Sequence, residues 1–152
     1  MGEDLFCAAV FGRVAVVRAW LDGGGHVNAR FVEPGGVRAD CTLLIAACGG
    51  ASLTFAQHEN DKCALVELLL SRGANVDSIG IGIAGLFVSD GFDEELRGGT
   101  ALMASAFFGR LSIVLLLLRA GACPELKNAQ GKTALDMAEG EGQDQVARLL
   151  LP

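Results

Sequence analysis

A chain of 152 residues has room for one domain, and its 51% hydrophobic content is ample for a packed core. Twenty-one glycines against three prolines suit many short elements ended by Gly, and 20% charge with eight Phe weighs against disorder. The formal charge of −6 arises within residues 31–97, which hold ten acidic and four basic side chains while both flanks balance; no cationic face for nucleic acid results, and a basic or apolar protein partner is favoured.

In chain order, Met1-Gly2-Glu3-Asp4 is acidic where a secretory signal is basic, and Phe6 stands where a myristoylation signal takes Ser or Thr. Export and lipid anchoring are therefore disfavoured. The first unit, about 1–30, spaces Leu5, Ala8 and Ala9 as on a helix, turns at Gly12, and continues through Val16, Val17 and Leu21 to Gly23-Gly24-Gly25. That glycine run follows a helix and does not open one, so it is a C-cap and not a phosphate cradle. Glu3, Asp4, Arg13, Arg18 and Asp22 supply a solvent-facing end, with Trp20 as packing.

A second unit, 41–78, carries Thr42, Leu44 and Ala47, then Leu65-Val66, Leu69-Leu70 and Gly73-Ala74. Its uncharged window from Cys41 to His58 is split by Gly49-Gly50, which argues for a short helix over a membrane span. The third unit, 98–129, is the clearest. Thr100 is an N-cap, Leu102, Met103 and Ala106 follow at helical spacing, Gly109 stops the helix, and Leu111 to Leu118 make a second one closed by Arg119 and Gly121. Thr100-Ala101-Leu102 returns after 33 residues as Thr133-Ala134-Leu135, a period that signals stacked repeats. In this fourth unit, 130–152, Thr133 and Asp136 form a capping box, the polar stretch from Glu139 to Gln145 gives a solvated outer face, and Pro152 marks either the end of the stack or a cut chain. Helices this short are marginal alone, so neighbouring copies must complete each core, which predicts an all-α stack.

These residues carry a resemblance to the ankyrin repeat. Thr-Ala-Leu stands where that family has Thr-Pro-Leu-His, Ala104-Ser105-Ala106 where it has Leu-Ala-Ala, Gly109-Arg110-Leu111 where it has Gly-His-Leu, and Arg119-Ala120-Gly121-Ala122 at its closing Gly-Ala. Leu43, Ala101 and Ala134 replace the family's Pro, and Ile45, Met103 and Asp136 replace its His. Three inserts, 31–40, 50–62 and 79–97, break the period. The resemblance implies an all-α ankyrin solenoid of four helix-turn-helix pairs with extended loops or hairpins, without catalytic activity or cofactor, binding a protein through its concave face in the cytoplasm or nucleus. It places contact residues at Phe31, Arg38 and Asp40 in the first insert, and at Ile81, Ile83, Phe87, Phe92, Asp93 and Glu94 in the third. Met103, Phe107 and Phe108 complete the set. Phe11, Phe107 and Phe108 form either an apolar ridge or a surface covered by residues 50–62, the covered form being expected. The third insert either packs on its own repeats or contacts the partner, and the acidic loops either attract a basic partner or only keep the stack soluble.

Other chemistry finds little footing. Cys7, Cys41, Cys48, Cys63 and Cys123 are odd in number and contain no Cys-x-x-Cys, so free thiols are expected, with Cys7 and Cys48 buried beside the Ala-Ala positions. A zinc site from Cys41, Cys48, His58 and Cys63 matches no ligand spacing. Gly80-Ile81-Gly82-Ile83-Ala84-Gly85 satisfies G-x-G-x-x-G, yet it follows polar residues and Ser89-Asp90-Gly91 breaks any helix after it. Asn28 occupies the family's loop Asn, a hydroxylation site in some members, with His26 nearby in place of an acidic residue. The alternative function is a small-molecule or metal sensor built on the Gly-rich insert and the thiols.

Overall fold

Three threonines open three of the helices. Thr42, Thr100 and Thr133 sit in extended backbone, and each hydroxyl accepts the N–H three residues on, from Ile45, Met103 and Asp136. Each cap satisfies a donor that the first turn leaves without a partner. Thr133 adds the reciprocal half of a capping box, its N–H donating to Asp136 Oδ2 at 2.8 Å. That hydrogen bond holds the Asp136 carboxyl below its ordinary range.

A computed structural model describes residues 2–32, 40–49, 59–80 and 97–152. Within them, the first helices of the units are α1 (Gly2–Val10), α3 (Leu43–Cys48), α5 (Ala101–Phe107) and α7 (Ala134–Gly140). The second helices are α2 (Val14–Asp22), α4 (Glu59–Ser71), α6 (Leu111–Arg119) and α8 (Asp144–Leu150). Each pair packs together, and like helices of successive units pack side by side, which gives two helical layers. Between the layers, Leu44, Leu65, Leu69, Leu102, Ile113 and Leu117 are almost wholly excluded from water. No pair encloses this core alone, because each unit presents one apolar face to the unit before it and another to the unit after.

The helix-to-helix turn repeats with the sequence. Gly12, Gly109 and Gly142 adopt φ of 70°, 67° and 67°, where any side chain meets its own carbonyl. At Gly109 a Cβ would also run into the Gln143 amide of the next unit. The far ends of the units are stitched by short polar side chains. Asn28 Oδ1 accepts the Asn75 N–H at 2.7 Å while its amide donates to Gly73 O, and Asp77 Oδ1 accepts the Cys123 N–H at 3.0 Å. Trp20 packs over Gly25, where a Cβ would overlap the indole.

The first insert carries a hairpin of the kind expected in the loops: it begins and ends as an antiparallel pair, β1 (Arg30–Val32) and β2 (Asp40–Thr42), with Phe31 opposite Cys41. One feature departs from the sequence reading. α4 starts at Glu59, so residues 59–62, read as insert, are its first turn. Lys62 was disguised by its charge, for at 1% exposure it is a core residue.

Candidate partner-binding surface

The hairpin brings Arg30 between two inserts that lie far apart in sequence. Its Nε donates to Asp40 Oδ1 at 2.7 Å, Nη2 to Asp40 O at 3.2 Å, and Nη1 to Ile79 O at 3.0 Å. The first two bonds close the hairpin, and the third ties it to the residue from which the third insert departs. The fork geometry of guanidinium permits all three at once, which an ammonium could not hold as rigidly. The hydrogen bond to Asp40 raises the Arg30 pKa above its ordinary value. A second tie at this base is the bridge in which Gly80 N donates to Gly99 O at 3.0 Å. Sequence reasoning passed over Arg30; its place beside Phe31 at the start of a strand was the available signal.

Phe31 lies on the hairpin with its ring 6.2 Å from that of Phe6 and packs partly into the core. Asp40 is half-exposed and paired with Arg30. Arg38, Ile81, Ile83, Phe87, Phe92, Asp93 and Glu94 lie outside the described residues.

Met103 and Phe107 are corrected. Both stand in the contact set, but they are 1% and 4% exposed and belong to the core, Phe107 in agreement with the covered form expected of it. All residues of α3 and α5 are buried. A helix flanked by two like helices and backed by a third has one side left, and that side is closed here as well. At α3, Gly80 presses so near that a Cβ there would come within 2.8 Å of Ile45 Cδ1, and at α1 the Phe31 ring lies 6.2 Å from that of Phe6. In the last unit the positions equivalent to Met103 and Ala106 are Asp136 and Glu139, and both are exposed. Phe108 is half-buried, edge-on to Phe107 at 5.1 Å and beneath the Arg110 guanidinium at 5.6 Å. Phe11 is 37% exposed with Arg13 over its ring. The cover was expected from residues 50–62, of which 50–58 lie outside the described residues.

The thiols are all free. Cys41 and Cys48 are fully buried, and burial pushes their pKa values up to about 12 and about 11. Cys7, expected to be buried, is half-exposed, because it falls on the side of α1 away from Ala8 and Ala9. We therefore expect native-state alkylation to label Cys7 and Cys123 at least tenfold faster than Cys41 and Cys48. Equal rates would show that the two buried thiols open to solvent. Among the described residues, no group of three or more His, Cys, Asp or Glu could hold a metal ion, and no helix is long and apolar enough to cross a membrane.

Paired short helices, a glycine turn at one end and polar stitches at the other, in a single file of like units, define a helical-repeat stack. A family model for ankyrin repeats, in three copies, matches residues 53–152. The chain belongs to the ankyrin repeat family. It is 30% identical over 150 residues to a putative ankyrin repeat-containing protein of Treponema pallidum (strain Nichols), a match covering 98% of this chain and 40% of that protein. It is also 46% identical over 54 residues to the E3 ubiquitin-protein ligase hecd-1 of Caenorhabditis elegans, covering 34% of this chain and 2% of that protein. The chain thus spans less than half the length of either relative. Ankyrin repeats are generally protein interaction modules.

Proposed function

We propose that this chain is a non-enzymatic scaffold or adaptor module of the cytoplasm or nucleus that binds a protein partner through its hairpin and the third insert. The observation that carries this reading is the Arg30 fork, which holds the first insert and the root of the third against the same side of the stack. Contact residues are then Phe31 and Asp40 on the hairpin, Arg38 beyond it, and Ile81, Ile83, Phe87, Phe92, Asp93 and Glu94 in the third insert. Phe108 lies at the opposite, turn end and has a lesser role. The closed sides of α3 and α5 favour the loops over the helices as the contact surface. The excess of acidic residues in 31–97 favours a basic partner.

The test is to replace Ser78–Arg97 by a loop of ordinary ankyrin length and, separately, to make Arg30→Ala. Affinity capture from lysate with the parent chain identifies the partner, and direct titration then compares the variants. The shortened chain is expected to keep its helical circular dichroism and to lose binding by at least tenfold, with Arg30→Ala intermediate. Undiminished binding by the shortened chain would overturn the assignment, and its unfolding would make the insert a structural cover.

A further inference from the structure

Lys62 is the most deeply buried charge-bearing side chain among the described residues, and it stands at a joint. It ends the first turn of α4, at the place in its unit that Arg13, Arg110 and Gln143 hold in the others, and its Nζ donates to Gly49 O, the C-cap of α3, at 2.8 Å. The carbonyls left without partners at the end of α3 explain why a donor is placed there. What surrounds the amine does not favour a charge. From the next unit comes the buried Arg110 guanidinium, which repels a second cation, and from α3 comes the Cys48 thiol, itself neutral. α4 contributes Cys63, half-buried, the half-exposed Glu59 and the exposed Asp61. On the remaining side Gly12 closes down on the Lys62 backbone and Cγ, and the neighbouring Arg13 points to solvent over Phe11. Among the described residues no carboxylate hydrogen-bonds the amine. A buried amine in such a setting keeps its neutral form, and protonation is relieved by moving it to water.

We propose that Lys62 is a proton-operated latch at the centre of the stack: neutral, it fastens the end of α3 to the start of α4, and on taking up a proton it leaves its seat and lets that joint open. The switch acts within one unit and leaves the outer units packed. Its setting near neutrality follows from the same burial, which lowers the Lys62 pKa to about 7. The proton comes from water and returns to it, and no bond other than N–H changes.

Lys62, Lys127 and Lys132 are the chain's only lysines, so selective carbon-13 labelling of the lysine Cε gives three signals, with Lys62→Met identifying the third. Lys62 is expected to titrate with a midpoint about 3 pH units below the ordinary lysine value. Amide exchange reads the opening, because the Gly49 N–H is bonded to Ile45 O at 2.8 Å. Its protection factor is expected to fall by up to tenfold per pH unit below the midpoint, while that of Val114 N–H, bonded to Arg110 O, stays level. In Lys62→Met the Gly49 protection no longer depends on pH between 5.5 and 8.5. A Lys62 midpoint at the ordinary lysine value overturns the proposal in the parent protein, whether or not the variant folds. So does a Gly49 protection factor that is constant across the midpoint.

Discussion

Leu117→Ala is expected to cost about 2–5 kcal/mol of unfolding free energy, and Leu115→Ala, two residues away on the same helix, no more than about 1 kcal/mol. Leu117 is wholly excluded from water, on the face of α6 that packs between α4 and α8 and against α5. Leu115 is half-buried and outside the core cluster. Truncation at 117 removes three carbons from a site that cannot collapse, because the helices on both sides are themselves held by neighbours. In a stack of like units the loss also weakens the interfaces on either side, so the third unit can uncouple the fourth. Urea denaturation followed by circular dichroism measures both variants. Comparable losses would mean that α6 is rotated from the orientation described here, and a loss below about 1 kcal/mol for Leu117→Ala would mean that the layer interface is loose.

The stack could be read from the chain wherever a local rule and a long-range one agreed. Thr100 and Thr133 were capping residues by type and spacing, and the repeat of Thr-Ala-Leu placed them in successive units, so helix starts, turns and the glycine row followed together. Lys62 failed that test. Its charge assigned it to a surface insert, and only the stacking of Gly12 and Arg110 against it, from units 1 and 3, makes it core. Met103 failed in the opposite sense. Its place in the unit belongs to a face that ankyrin stacks leave open, and its apolar character was taken for a binding surface. It is better explained by burial, since every residue of α5 is excluded from water, a closure that no periodicity within one unit could announce. Arg30 was illegible for a related reason: a side chain that ties residue 40 to residue 79 carries no signature in its own neighbourhood.

Stability is expected to rise from pH 7 to about 9 and to fall beyond it. Lys62 has a folded pKa near 7 against an ordinary 10.5. Between those values the unfolded chain binds a proton that the folded chain does not, so the free energy of unfolding increases with pH. The full span corresponds to roughly 3–5 kcal/mol at about 1.4 kcal/mol per unit. From pH 9 the sign is reversed by the thiols. Cys41 and Cys48, pushed up to about 12 and about 11 from an ordinary 9.0, stay protonated in the fold while the unfolded chain loses both protons. Their stabilisation is complete below 9 and is lost as pH rises toward the folded values, with Cys63 adding in the same direction. Two thiols outweigh one amine, and the maximum therefore falls near pH 9. Lys62→Met removes only the rising limb. Its unfolding free energy is expected to be level from pH 7 to 9, equal to or above that of the parent at pH 6, and to decline with the parent above 9. Urea titrations at half-unit pH intervals distinguish these shapes. A parent curve already level between 7 and 9 would place the Lys62 ammonium in water, and a variant that kept the rise would assign it to another group.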